Sequence, residues 1–154
     1  QPRSRGLGDV YKRQNMKIAE LEINIMAVPQ GYYLAQGISR DLNFKVGLPA
    51  EFEKTYNLKE KLTDKYDEIE CGETYLIDNV YSLVVKDSSY DSPDRDLLME
   101  ALVNLRDQME ENKVTKLAIP RLCCGRGGLD WDDVKAMIGF AFGDADIQIL
   151  VCVQ

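Results

Sequence analysis

Six short apolar runs recur along this chain with helical patterns between them, and that alternation limits its fold more than any other feature. KIAELEI (residues 17–23), YYLAQGIS (32–39), TYLID (74–78), YSLVVK (81–86), KLAIPRL (116–122) and IQILVCV (147–153) read as strands. Several are apolar nearly throughout, which suits strands covered on both faces, as in a layered α/β sheet.

The helices between them carry their own start signals. Ser92 and Pro93 offer an N-cap followed by proline at the first helical position, ahead of an apolar stripe of Leu97, Leu98, Ala101, Leu102, Leu105 and Met109. That helix is expected to reach about Asn112. The last helix is expected to start at Asp130 as N-cap, with Asp132 and Asp133 complementing its dipole and Val134, Met137, Ile138, Ala141 and Phe142 facing the core. Leu48, Phe52, Leu58 and Leu62 mark an earlier, broken helical region over 48–66.

A chain of 154 residues, 45% hydrophobic and 29% charged, can bury one core, so a single soluble domain is expected. No apolar run approaches the roughly 18 residues of a membrane span, and the opening residues lack the apolar centre of a secretion signal, which fits a cytoplasmic protein. QPRSRGLGDVYKRQ, at the start, is polar, basic and without periodicity. It resembles translated adaptor sequence and reads as a foreign tail, so residues 1–15 are set aside and the domain is taken as 16–154.

The tail holds four of the 19 basic and one of the 26 acidic residues, leaving the rest with a net charge of −10. Such acidity argues against general nucleic-acid binding, though backbone N–H groups can still hold a small anion. Histidine is absent, which excludes a Ser-His triad, a Cys-His pair and any imidazole zinc site; no metal site is expected. Cys71, Cys123, Cys124 and Cys152 have no C-x-x-C spacing and are expected to be reduced, mostly buried thiols. Adjacent Cys123 and Cys124 would point to opposite sides of an extended segment, and neither has an evident activating base for nucleophilic work.

PRLCCGRGGLDW (120–131) joins a strand to the last helix, with glycines at 125, 127 and 128. Free backbone amides and a helix N-terminus make this an anion-binding arrangement; a tight turn needing positive φ would also explain the glycines. Too little chain follows for a Rossmann unit, and the lysine of a Walker A loop is missing.

Here the sequence resembles a known family. LAIPRLCCGRGGLDWDDVKAMI, with YYLAQGISRD upstream and ILVCV at the end, is similar to macrodomains of the terminal ADP-ribose protein glycohydrolase type. That family shows Tyr-Leu-Ala-His-Cys-Ile-Ser-x-Asp, a Gly-Ala-Gly-Ile-Ala loop, and Pro-Arg-Ile-Gly-Cys-Gly followed closely by Trp. The resemblance covers essentially residues 16–154 and implies a three-layer α/β/α fold around a mixed sheet, with ADP-ribose across the strand ends between two loops. No cofactor is implied, ADP-ribose being the ligand. The partner would be ADP-ribose or a macromolecule carrying it, and a monomer is expected.

By this resemblance, Leu122, Cys123, Cys124, Gly125, Arg126, Gly127 and Gly128 hold the diphosphate and distal ribose. The first loop, 43–49, follows Ser39 and Asp41 and has Lys45-Val46-Gly47 where the family has Gly-Ala-Gly. Lys86 falls on the family's catalytic lysine, which attacks the anomeric carbon of the distal ribose; partial burial would help it lose its proton. Two positions depart further. Asn24 stands where an aspartate binds the adenine amino group, and Gly127 where a carboxylate assists release of the lysyl adduct. Asp41 or Asp130 could substitute for that carboxylate. Gly-Gly-Leu-Asp-Trp is also similar to macrodomain antitoxins that remove ADP-ribose from DNA. A hydrolase, an ADP-ribose 1''-phosphate phosphatase (Appr-1''-p processing) and a non-catalytic ADP-ribose-binding module are the three functions so implied.

Overall fold

A computed structural model describes residues 16–125 and 127–154 of the chain; the tail and Arg126 lie outside the described residues. Six strands form one mixed sheet: β1 (Lys17–Glu22), β2 (Tyr33–Ser39), β3 (Thr74–Ile77), β4 (Val80–Lys86), β5 (Lys116–Ile119) and β6 (Gln148–Val153). Their order is β1-β6-β5-β2-β4-β3, all neighbours being parallel except the β3–β4 hairpin. Four helices flank it: α1 (Gly47–Tyr56), α2 (Leu58–Lys65), α3 (Arg95–Glu111) and α4 (Trp131–Phe142).

Period-two alternation sorts side chains between two cores. Tyr81, Leu83 and Val85 of β4 pack with the stripes of α3 and α4, whereas Val80 and Val84 pack with Phe52, Leu58 and Leu62 of α1 and α2. The outcome is the expected α/β/α sandwich. Leu98, Ala101, Leu102, Leu105 and Met109 are all but inaccessible to solvent. Each of the larger ones contributes about 1.5–3 kcal/mol by leaving water. β1 differs from the inner strands, being exposed over most of its length as an edge strand whose own alternation is half polar.

Two boundaries depart from the sequence reading. The expected Ser92 cap is displaced to Asp94, whose carboxylate accepts from Asp96 and Leu97 amides, while the Asp94 amide donates to Val85 O at 2.9 Å. That tie to β4 holds residues 92 and 93 outside the helix. β5 stops at Ile119 rather than running on to Leu122, because Pro120 has no N–H to continue the ladder. The helical region over 48–66 is broken as expected, into two helices divided at Asn57 in the left-handed conformation (φ 54°), which asparagine tolerates. Asp130 caps α4 as expected, accepting from Asp133 N at 3.3 Å.

After β2 the chain builds outward through α1 and α2 to β3 and β4; after α3 it builds the other way through β5 and β6. The adjacent strands β2 and β5 therefore flank a switch point, beyond whose carboxyl ends open α/β sheets bind ligands.

Candidate functional site

A cleft of about 690 Å³ opens at that switch point, walled by the first loop, the end of β4 with the turn after it, and the glycine-rich loop. Ser39, Val46, Gly47, Lys86, Leu122, Cys123, Gly125, Gly127 and Gly128 of the expected residues line it. Cys124 instead lines a neighbouring cavity of about 380 Å³, which shares Leu48, Pro120, Arg121 and Gly125 with the cleft and adds the apolar walls Ile23, Ile25 and Cys152. Asn24 lines a separate hollow beside Gln154, and its Oδ1 accepts from Met26 N at 2.9 Å as the cap of a short 3-10 turn (Ile25–Ala27). Lys45 and Asp41 are both exposed and neither lines the cleft, Asp41 being hydrogen-bonded to its neighbours instead; Arg126 is outside the described residues.

The three loop glycines do different things. A Cβ on Gly128 would lie 2.2 Å from Cys123 O and 2.9 Å from Gly125 O, so this glycine serves the loop's own closure. Gly127 has φ +72°, and an added side chain there meets nothing but carries left-handed strain. Gly125 has neither constraint, and its missing Cβ faces open space within the cleft. Gly128 N donates to Gly125 O at 2.8 Å and Leu129 N to Cys123 O at 2.7 Å; among the described residues the Gly125 and Gly127 amides have no acceptor.

Of the two helix starts that follow the loops, that of α1 is the uncapped one. Asp130 and two first-turn aspartates already satisfy the N-terminus of α4, whereas α1 begins beside the cleft at Val46 with no side-chain cap. Its first-turn amides receive no side-chain cap.

Lys86 stands at the last position of β4, where the register with β2 shifts: Ile38 pairs with Val84 and Ser39 with Lys86, so Val85 is passed over. Such a bulge re-aims the side chain beyond it. Lys86 Nζ donates to Ser89 O at 3.2 Å. Ser89 is itself held twice: its N–H donates to Asp41 Oδ2 at 3.0 Å, and its hydroxyl accepts from Asn43 Nδ2 at 3.0 Å. Asp41 Oδ1 meanwhile accepts from Ser39 Oγ at 2.6 Å and Asn43 N at 3.1 Å. The Ser39 hydroxyl, followed by the Ser89 amide, holds the Asp41 carboxyl below the usual carboxylate range, so it stays ionised and knots the first loop to the turn beneath Lys86.

The adjacent cysteines are not the two faces of an extended segment, because Cys123 turns into the left-handed region at φ 62°. Its thiol lies against Gly37, where a Cβ would approach Sγ to 3.3 Å, and burial pushes that thiol up to about 12. Cys124 Sγ donates to Leu122 O at 3.2 Å, and burial raises it too. Neither is poised as a thiolate. All four cysteines are free, but only Cys152 is buried; the others sit half-buried in turns and at the site.

Sequence reasoning missed the turn after β4, which brings Ser89, Tyr90 and Asp91 to the cleft wall. It also missed Arg121, whose guanidinium bonds Glu20 on β1 at 3.1 Å and lies 5.8 Å from the Trp131 ring, tying the start of the glycine-rich loop to the edge strand and to α4. The run of serines and aspartates after Lys86 was the available signal for the first, and the Arg/Trp spacing for the second.

The six-stranded order, the flanking helix layers and a cleft between two loops at the β2–β5 switch point are those of the macrodomain fold. The chain's sequence is similar to ADP-ribose glycohydrolase OARD1 of Homo sapiens, 28% identical over 142 residues, covering 90% of this chain and 92% of that protein. The fold matches the macrodomain of Thermus aquaticus DarG with a TM-score of 0.78 at 19% identity, over 89% of this chain and 98% of the other. It also matches Thermosipho africanus DarTG in complex with ADP-ribose, at a TM-score of 0.74 and 16% identity, over 90% of this chain and 42% of that longer one. No family model matches the chain. Among the described residues no helix is long and apolar enough to cross a membrane.

Proposed function

We propose that this chain binds ADP-ribose in the cleft and hydrolyses ADP-ribose conjugates, with Lys86 as nucleophile. The observation that carries this reading is the placement of Lys86 at a bulged strand end, on the wall of a cleft that also holds the unobstructed Gly125 and the uncapped start of α1. The diphosphate then rests on the amides of Gly125 and Gly127 and at the start of α1, the distal ribose lies at Lys86, and the adenosine enters the apolar cavity beyond Leu48 and Gly125. Val46, Gly47 and Leu122 line the ligand's path, and the exposed Lys45, next to Val46 in sequence, offers a nearby positive charge. Similarity to a protein named ADP-ribose glycohydrolase supports the reaction class, and a neighbour solved with ADP-ribose supports the ligand.

The protein works without a cofactor, as a cytoplasmic monomer, on a macromolecule carrying ADP-ribose. Its acidity opposes binding to the nucleic-acid backbone in general. Calorimetric titration of ADP-ribose into the protein tests the ligand; turnover of ADP-ribosylated protein and ADP-ribosylated DNA by the parent and by Lys86→Ala tests the chemistry. Loss of turnover in Lys86→Ala with affinity kept is the expected result, and full turnover by that variant refutes the nucleophile.

One set of features favours a second reading, a non-catalytic ADP-ribose-binding module: Gly127 supplies no carboxylate, and Asn24 spends its carbonyl on Met26. Tight binding with no turnover on either substrate, or on ADP-ribose 1''-phosphate, would establish it.

A further inference from the structure

Hydrolysis through a lysyl adduct needs a base for the water that releases it. Both carboxylates that the sequence offered for this are engaged. Asp41 accepts three hydrogen bonds with its two oxygens, and Asp130 caps α4. Among the described residues that line the cleft, Asp91 is the one carboxylate. It ends the turn whose Ser89 carbonyl receives Lys86 Nζ at 3.2 Å, two residues away in sequence. The turn is closed by Asp91 N to Ser88 O at 3.0 Å and by Ser88 N to Asp91 Oδ2 at 3.1 Å. One carboxylate oxygen is thus spent on holding the turn, while among the described residues Oδ1 has no partner. Asp41 anchors the same turn from below through Ser89 N.

We propose that Asp91 is the catalytic base that resolves the Lys86 adduct, taking the part for which Gly127 has no side chain. This rests on the reading of Lys86 as nucleophile. In the first step the neutral amine nitrogen bonds to C1 of the distal ribose, and the bond from C1 to the macromolecule breaks with its electron pair leaving on the departing group. The adduct is a protonated secondary amine. In the second step a water oxygen bonds to C1 as Asp91 takes one of its protons. The C1–N bond breaks, its electron pair returns to Lys86 as a neutral amine, and the proton on Asp91 passes by solvent to the departed group. Water is thereby divided between ribose and leaving group.

The test is intact-mass analysis during incubation with auto-ADP-ribosylated protein and with an ADP-ribosylated DNA oligonucleotide. Asp91→Asn is expected to turn over at least tenfold more slowly than the parent while accumulating a covalent ADP-ribose adduct, which is absent from the Asp91→Asn, Lys86→Ala double variant. Asp91→Glu is expected to recover part of the rate, and the affinity of Asp91→Asn for ADP-ribose to stay within twofold of the parent. Parental turnover by Asp91→Asn overturns the assignment with Lys86 intact as nucleophile. Slow turnover without any adduct also overturns it, since Asp91 would then act before the adduct forms. Full turnover by Lys86→Ala, or a parent that forms neither product nor adduct, overturns the lysine mechanism itself.

Discussion

Gly125 and Gly128 stand three residues apart in one loop, and the structure gives their replacement by alanine opposite consequences. At Gly128 the new Cβ falls 2.2 Å from Cys123 O, where no tolerable contact exists, so the backbone must move by about 1 Å to reach ordinary separation. Cys123 O is the acceptor for Leu129 N at 2.7 Å, and Gly128 N itself donates to Gly125 O at 2.8 Å, so both bonds are stretched or lost. At about 1 kcal/mol each, with strain added, Gly128→Ala is expected to destabilise by about 2–4 kcal/mol. For a domain of this size that is a fall in Tm of about 5–12 °C. Gly125→Ala meets nothing within 4 Å and needs no left-handed backbone, so its Tm should stay within about 1–2 °C of the parent. Its methyl nonetheless occupies the approach to the free amides, and ADP-ribose affinity should fall by about tenfold or more, a loss of about 1.4 kcal/mol. Scanning calorimetry and titration on both variants decide the matter. A Gly128→Ala protein as stable as the parent would refute the closure argument, and parental affinity in Gly125→Ala would remove the diphosphate from this loop.

With its thiol pushed up to about 12, Cys123 should resist iodoacetamide at pH 8 in the folded protein, with rapid labelling by peptide mapping as the contrary result. Asp94→Ala removes the acceptor for two amides at the start of α3 and should cost about 0.5–2 kcal/mol in urea unfolding; no change would place the cap elsewhere. Asp41 has its carboxyl lowered from the usual 3.8, so its contribution to stability is full above that value and lost as acid carries the pH down through the folded value. Asp41→Asn should therefore flatten the acid limb of Tm against pH, and an unchanged limb would mean that the knot at Ser89 contributes nothing. Gly37→Ala should lower stability by about 1–3 kcal/mol through its approach to Cys123 Sγ, and Cys123→Ala in the same chain should relieve most of that loss.

Much of the fold was legible because its signals are local. Apolar runs of strand length, the stripe from Leu98 to Met109 and the Asp130 cap all act within a few residues of themselves, and each element formed where those signals stand. The misplaced cap shows the limit: Ser92-Pro93 and Asp94 are both sound starts, and what chose between them was the Asp94 amide reaching Val85 O in the sheet. The site was legible only as far as its motifs are continuous in sequence. Lys86 and the glycine-rich loop could be read, whereas the turn that ties Ser89 to Asp41 and Asn43 spans 46 to 48 residues of chain, and only the sheet brings its halves together.

Gly37 and Cys123 carry the same lesson further. The family pattern has cysteine at the first position and glycine at the second; here the two residue types are exchanged. Read separately, one change removes packing from β2 and the other places a side chain on a left-handed residue, and both look like damage. Together they make one contact, since the Cys123 thiol lies above Gly37, where a strand Cβ would meet its Sγ at 3.3 Å. The remaining cost is the φ of 62° at Cys123, where glycine would sit without strain. The two departures are therefore one packing contact rather than two separate losses.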